Sequence, residues 1–557
     1  IIYNGEIYNY IELRQYLISR KVSLRTHSDT EVILRLYMLH GEDCLQWLNG
    51  IFAFAIYDRE AGTVFLARDH FGVKPLYYFQ QGDRFVFGSE IKSVLAFPGV
   101  PAAVDNEGLE DYMTFQFVLG ERTLFDQIRK LEPANYLVVK DGRIVKKAVY
   151  WEVSPELDYD RTEDQFADEL LVTIDGALNF QTRSDVPVGA YLSGGVDSSL
   201  VSILARKNYL GEFHTFTGRF DEGAAFDESG YARLISEKIR SSHHEVTPTW
   251  EDFREHFEKL VWYMDEPAAG PGLFPQYMVS KLASEHVTVV LGGQGGDELF
   301  GGYARYYVAY LEQCLKGAIF ETQEEGQHII TLGSMIPNLP LLKQYTPMLK
   351  RQFSRGMFEP MDQRYFQLID RSPNLDRVFT GTLLDSLNFD HVYDRFRNVF
   401  AASTTPSYLN KMISFDFKTL LPALFHVEDR VSMAVSIESR VPLLDKRVVE
   451  LAAQIPPAIK FKGGRPKSVL MNAIQNILPR EIIERKDKMG FPTPINQWFS
   501  GPLKSYVMDI FNSQAARERG IYRKDNLEKM ISEGKGYGRD VWGALNLEVW
   551  FKTFIDK

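Results

Sequence analysis

Apolar residues alternate through Val186, Val188, Ala190 and Leu192 and stop at Ser193, which is the period of a strand. A helical pattern follows, with Leu200, Val201 and Leu204 on one side. Between the two runs Ser193-Gly-Gly-Val-Asp-Ser-Ser199. A strand that turns through glycines straight into a helix commits this part of the chain to an α/β architecture. It also aims the free N–H groups and positive dipole end of the helix at whatever lies beyond the strand. Gly194 and Gly195 let the backbone turn sharply and come close to a ligand. The loop is therefore a cradle for phosphate. Its spacing is not the G-x-x-x-x-G-K-[ST] of kinase-type loops. A strand-to-helix turn with no ligand is the plain alternative.

The same rhythm continues around this loop. Strands are predicted at 186–192, 212–218, 243–247 and 287–292, and helices at 198–207, 227–240, 250–263 and 273–285. Such alternation predicts a parallel sheet covered by helices on both faces, with ligands at the carboxyl ends of the strands. A second glycine-rich run, Val290-Leu-Gly-Gly-Gln-Gly-Gly-Asp-Glu-Leu-Phe-Gly-Gly-Tyr303, also follows a strand and is expected to face the same cleft. Asp197 and Asp297 would then stand together at one sheet edge. Two carboxylates there suit Mg²⁺, which takes a few carboxylates plus phosphate oxygens. The competing role for Asp297 and Glu298 is an acidic pair capping a helix. Residues 303–400 read as mostly helical.

At 557 residues the chain is too long for one core. Residues 1–150 read as a separate α+β unit, with strands at Gly50-Ile-Phe-Ala-Phe-Ala-Ile-Tyr57 and Thr63-Val-Phe-Leu-Ala67. A helix is predicted from Asp29, its expected N-cap, with Ile33, Leu34, Leu36 and Tyr37 on the apolar side. Residues 151–165 lose periodicity and read as a linker, and residues 166–557 form the second unit. A net charge of -11 argues against nucleic-acid binding as the main function. Two distant cysteines, Cys44 and Cys314, make neither a disulfide framework nor a zinc site, which fits the cytoplasm. No apolar run reaches the ~18 residues needed to span a membrane. The chain opens at Ile1 inside an apparent strand, so the natural N-terminus is expected to lie upstream.

Ser-Gly-Gly-x-Asp-Ser-Ser resembles the pyrophosphate loop of ATP pyrophosphatases. With Glu428-Asp-Arg-Val-Ser-Met-Ala-Val-Ser-Ile-Glu-Ser-Arg-Val-Pro-Leu-Leu-Asp445 and Lys486-Asp-Lys-Met-Gly-Phe-Pro-Thr-Pro494, the second unit resembles the synthetase domain of glutamine-dependent asparagine synthetases. The family also includes β-lactam-forming synthetases. The resemblance implies an ATP pyrophosphatase fold with added helices, ATP and Mg²⁺ as cofactors, and an acyl-adenylate that ammonia converts to an amide, releasing AMP and pyrophosphate. Leu192, Ser193, Gly194, Gly195, Asp197, Ser198, Ser199, Gly218, Gly292 and Gly293 match ATP- and pyrophosphate-binding positions. Asp197 and Asp297 match the magnesium carboxylates, and Lys467 in Gly463-Gly-Arg-Pro-Lys-Ser468 matches the lysine that contacts the α-phosphate. Arg430, Glu438 and Arg440 divide evenly between scaffold and acceptor binding.

Two departures stand out. The family loop usually carries a glutamate where this chain has Gln294, and an amide cannot take a proton from attacking ammonia. Losing a general base costs on the order of 10²–10⁴ in rate, so another group takes the proton, Gln294 only positions the intermediate, or the acceptor differs. Arg219 replaces a small residue expected near the adenine. The leading expectation is amidation of L-aspartate to L-asparagine. One alternative is the same chemistry on another carboxylate, such as a sugar acid. Another is a non-catalytic regulatory homologue. The expected partners are small molecules rather than nucleic acid or membrane, with a homodimer left open.

The first unit carries Tyr3-Asn-Gly-Glu-Ile-Tyr-Asn9, Ser28-Asp-Thr-Glu31, Ala67-Arg-Asp-His-Phe-Gly-Val-Lys-Pro-Leu-Tyr77 and Gly88-Ser-Glu-Ile-Lys92. These runs resemble class II glutamine amidotransferase domains, an Ntn-hydrolase-like sandwich of antiparallel sheets between helices, here incomplete at its N-terminal end. Asn4 and Gly5 match the oxyanion hole, and Glu6 and Asp29 match residues that bind the glutamine ammonium. Alone, Asn4-Gly5 would read as a hairpin turn. The family's nucleophile is an N-terminal cysteine whose α-amino group acts as base. This chain has no such cysteine, and Cys44, at helical spacing with Leu48, reads as a buried thiol. The chain as written is therefore expected not to hydrolyse glutamine.

Overall fold

The computed structural model describes residues 1–153, 156–267, 270–322, 325, 346–354, 356–485, 493–534 and 538–556. Most of the motif Lys486–Pro494 lies outside them.

In the N-terminal half, strands β1 (Ile2–Ile7), β2 (Gly50–Asp58), β3 (Thr63–Arg68), β7 (Asn135–Lys140) and β8 (Arg143–Val149) form an antiparallel sheet in the order β1-β2-β3-β7-β8. A second antiparallel sheet has the order β5-β4-β6, from β4 (Tyr77–Gln81), β5 (Arg84–Gly88) and β6 (Ile128–Lys130). The two-residue period of β2 explains the layers. Phe52, Phe54 and Ile56 pack with residues of helices α1 (Tyr10–Ser19) and α2 (Asp29–His40), while Ala53 and Ala55 pack with Tyr78 of the second sheet. The predicted antiparallel layers are thus present. One detail differs. Ser28, not Asp29, caps α2, because its hydroxyl accepts from Thr30 N at 3.1 Å. The Asp29 carboxylate instead accepts from Tyr3 Oη (2.8 Å) and Ile7 N (3.1 Å), tying α2 to β1.

The C-terminal half is built on a five-stranded, wholly parallel sheet: β9 (Val188–Tyr191), β10 (His214–Gly218), β11 (Ser242–Val246), β12 (Val289–Leu291) and β13 (Glu438–Arg440), in the order β11-β10-β9-β12-β13. Helices α3 (Glu163–Gln181), α4 (Val196–Asn208), α5 (Ser229–Ile239), α6 (Trp250–Met264) and α7 (Leu273–Ala283) alternate with the early strands. Further on come α8 (Gly296–Phe300), α9 (Leu420–Met433) and α10 (Ser468–Ile474). Both faces of the sheet are buried, as parallel sheets require. Val188, Ala190, Val289 and Leu291 pack with α3 and α4, whereas Phe216 and Val290 pack with Val279 and Ala283 of α7. All four predicted strands and four predicted helices form. Strand β13 was not predicted, since Glu-Ser-Arg has no apolar alternation and is strand only because it pairs with β12.

Buried charges join the two halves. Lys74 and Asp429 pair at 2.9 Å with side chains 2% and 6% exposed. Arg430 donates to Ser89 O (2.9 Å) and pairs with Glu90 (3.0 Å) and Asp265 (3.1 Å), so it serves the scaffold. Among the described residues no helix is long and apolar enough to cross a membrane.

Breaking one partner of a buried ion pair typically costs about 3–5 kcal/mol. Lys74→Ala should lower stability on that scale in urea titration, and Lys74→Met with Asp429→Leu should lose less. A single variant within 1 kcal/mol of the natural chain would contradict the burial of this pair.

Candidate active site at the switch point of the parallel sheet

The chain leaves β9 toward β10 on one side, and β12 returns to the other side of β9. Connections that part in this way open a crevice at the carboxyl ends of the two strands. Both glycine-rich loops leave from there. In the first, Gly195 is the N-cap of α4 and offers no side chain, so the first N–H groups of the helix stay open toward the crevice. Ser193 N donates to Ser198 Oγ at 3.2 Å, the Ser193 and Ser198 hydroxyls lie 3.0 Å apart, and Gly195 N donates to Ser193 Oγ at 3.3 Å. Gly194 has φ +66°, and a Cβ there would lie 2.4 Å from Tyr231 Cβ, so only glycine suits this turn against α5. Leu192 N bonds Phe216 O at 2.9 Å, and Gly218 ends the neighbouring β10. Arg219 pairs with Asp221 at 2.6 Å.

The second loop presses on the first. A Cβ on Gly293 would lie 2.8 Å from Ser198 N, and one on Gly296 would lie 2.3 Å from Asp197 Oδ1. Asp197 and Asp297 meet as predicted, with a cation between them: Lys467 Nζ is 2.6 Å from Asp197 Oδ2 and 2.6 Å from Asp297 Oδ1. Lys467 has φ +56° at the start of α10 and is 7% exposed. Its burial disfavours the charge, but the two carboxylates outweigh that and hold the ammonium charged well above the ordinary lysine range. A Cβ on Gly302 would lie 1.9 Å from Asp297 Oδ1 and 2.3 Å from Lys467 Cε, so this glycine makes room for the cluster. Asp297 and Glu298 lie in the first turn of α8, whose N-cap Gly295 offers no side chain. Glu298 accepts from Tyr303 Oη, and burial, with Asp297 beside it, pushes it up to about 7.

Gln294 turns the other way, toward α9. Its Nε2 donates to the Glu428 carboxylate at 2.5 Å, which also accepts from Ser439 Oγ at 2.5 Å and from Gln276 Nε2. Beyond an acidic pair inside an apolar helical pattern, nothing local in the sequence sets Glu428 apart from the rest of its run.

In the N-terminal half, Asn4 and Gly5 lie within β1 rather than in a turn. A Cβ on Gly5 would lie 2.1 Å from Ile51 O, so β1 and β2 approach too closely for any side chain there. Glu6 stands near Asp29 and 3.9 Å from Arg440, which pairs with Glu438 at 2.6 Å and donates to Gln181 O and Arg183 O. Burial raises Glu6 to about 7 against the pull of Arg440. Neither thiol suits nucleophilic attack: Cys44 and Cys314 are buried, and burial pushes each up to about 12.

Residues 1–151 match the glutamine amidotransferase domain family, and residues 169–552 match asparagine synthase. The chain belongs to the asparagine synthase family. It is 34% identical over 571 residues to asparagine synthetase [glutamine-hydrolyzing] 1 of Bacillus subtilis (strain 168), covering 100% of this chain and 86% of that protein. It is 30% identical over 585 residues to asparagine synthetase [glutamine-hydrolyzing] 3 of the same organism, covering 100% and 87%. A solved glutamine phosphoribosylpyrophosphate amidotransferase of B. subtilis, complexed with ADP and GMP, is 19% identical over 37% of this chain and 43% of its own, with a TM-score of 0.21, too slight to carry an argument. This family member is a ligase-type enzyme that joins an amidotransferase unit to a synthetase unit.

Overpacking a tight site typically costs about 1–3 kcal/mol. Gly302→Ala should therefore displace Lys467, lower stability by about 1–3 kcal/mol in urea titration and weaken ATP binding by calorimetry. Unchanged ATP affinity would detach this cluster from nucleotide binding.

Proposed function

We propose that this enzyme amidates L-aspartate to L-asparagine through an acyl-adenylate, with ATP as the activating substrate and AMP and pyrophosphate as products. The observation that carries the reading is the meeting of the Ser193–Ser199 loop, Asp197, Asp297 and Lys467 at the β9/β12 crevice. Open helix N–H groups and the loop hydroxyls would bind pyrophosphate oxygens, with Leu192 and Gly218 flanking the nucleotide at neighbouring strand ends.

The donor set also fits Mg²⁺, a hard cation that takes carboxylate oxygen. Asp197 Oδ1 is buried without a hydrogen-bond partner among the described residues, as is Ser199 Oγ nearby in the same loop. Asp197 and Asp297 would hold the ion. The ion would supply charge neutralisation to the phosphates, and Lys467 would meet the α-phosphate.

As part of a complete amidotransferase unit, residues 1–150 would bind the glutamine from which ammonia is released. Asn4 and Gly5 would bind the oxyanion, and Glu6 and Asp29 the substrate ammonium. Residues 166–557 would carry out the synthesis, with 151–165 as the linker. Two buried, unbridged thiols support a reducing, cytoplasmic setting, and a homodimer is compatible with the family. Gln294 favours a second reading, the same chemistry on another carboxylate such as a sugar acid.

Pyrophosphate release and product mass should be measured with ATP, Mg²⁺, ammonium and a panel of carboxylates. Ammonia sidesteps the glutaminase step. Asparagine formed only with L-aspartate supports the first reading, and release with a different carboxylate supports the second. Asp197→Asn should abolish release while leaving the circular dichroism spectrum unchanged. Retention of most activity would refute the assignment of this loop.

A further inference from the structure

Glu428 is 2% exposed, and among the described residues its carboxylate is held only by neutral donors: Gln276 from α7, Gln294 from the loop after β12, and Ser439 from β13. The charged side chain that acts on it most, Asp429, has the same sign, and among the described residues no cation pairs with it. Buried carboxylates are normally paired. Asp429 next to it is paired, by Lys74. A glutamine at 428 could keep these contacts without the cost of a buried charge. A structural role therefore does not account for a carboxylate at this position.

The hydrogen bond to Gln294 places this carboxylate directly behind the loop that lines the crevice. An ionised carboxylate only accepts, so the NH₂ group of Gln294 must face Glu428. That turns Gln294 Oε1 toward Gly292, where a Cβ would lie 2.1 Å from it, and leaves it buried with no partner among the described residues. A carboxylate offers about four acceptor sites. Three of those on Glu428 are taken, which leaves one for an incoming N–H.

We infer that Glu428 is the proton acceptor of the amidation step and does the work that a loop carboxylate at position 294 would otherwise do. The inference rests on the adenylate-forming reading above. The nitrogen lone pair of ammonia forms a C–N bond to the acyl carbon of the adenylate, while Gln294 Oε1 accepts one N–H. A second N–H proton passes to a Glu428 oxygen. The bond from the acyl carbon to the AMP oxygen then breaks, its electron pair leaves with AMP, and Glu428 later returns its proton to water. Burial, against the bonds from Ser439 and Gln276, pushes Glu428 up to about 7, a suitable poise for a base near neutral pH.

The test separates adenylation from amidation. The probes are ATP, Mg²⁺, ammonium chloride and L-aspartate, or the panel carboxylate that supports pyrophosphate release. Acceptor-dependent ATP–pyrophosphate exchange reports adenylation, and amide formation reports the second step. Glu428→Gln should lower amide formation by about 10²–10⁴ while exchange stays within about threefold. Glu428→Gln with Gln294→Glu reverses the same hydrogen bond and returns a carboxylate to the loop, so it should regain at least about tenfold of the loss. The inference is overturned if Glu428→Gln forms amide within about threefold of the natural rate, or if exchange and amidation fall together in both variants. If the natural chain shows no exchange with any carboxylate, the adenylate reading fails and this inference fails with it. If exchange is intact and Glu428→Gln still amidates, only the assignment of Glu428 falls.

Discussion

The contact on which the rest of the site depends is the Lys467 ammonium set between Asp197 and Asp297. Two carboxylates on neighbouring loops repel each other, and without a cation neither glycine-rich loop would close on the other. The lysine solves this. It binds each carboxylate at one oxygen, leaves Asp197 Oδ1 without a hydrogen-bond partner among the described residues, and draws α10 up to the sheet edge. The glycines around it are steric requirements of the same arrangement, since Gly293, Gly296 and Gly302 each have too little room for a methyl group.

A second set of buried charges governs how the halves meet. Lys74–Asp429 and Arg430 with Glu90 and Asp265 fix α9 against the N-terminal sheets. The same helix carries Glu428 one residue earlier, so the seam between the halves also orients the carboxylate behind Gln294. On the other side of the seam, Arg440 at the end of β13 faces Glu6 of β1. The proposed sites of ammonia release and ammonia use are thus attached to the two ends of one short stretch, from α9 through β13.

Much of the architecture was readable in the chain because its signals are local. Alternation at Val188 and Ala190, followed by glycines and a helical period, is enough to set a strand, a turn and a helix. The N-cap of α2 was misread by one residue, since Ser28 and Asp29 are both good caps. The choice was made by Tyr3 and Ile7, which take the aspartate for β1. Strand β13 was unreadable for a related reason: its residues have no strand pattern until β12 lies beside them. Cys44 was read correctly as a buried thiol, because its helical spacing with Leu48 is a local feature.

The sequence by itself determined the parallel sheet, the two glycine-rich loops, the two acidic residues aimed at one cleft, and the burial of Cys44. Each follows from period, turn chemistry or residue type within a dozen positions. Tertiary structure alone decided that Lys467 lies between the two aspartates, 270 residues in the chain from Asp197. It alone decided that Arg430 serves the seam and that Gln294 is backed by Glu428. These are through-space electrostatic and hydrogen-bond contacts between distant segments. Their energies depend on burial and distance, which no local pattern encodes.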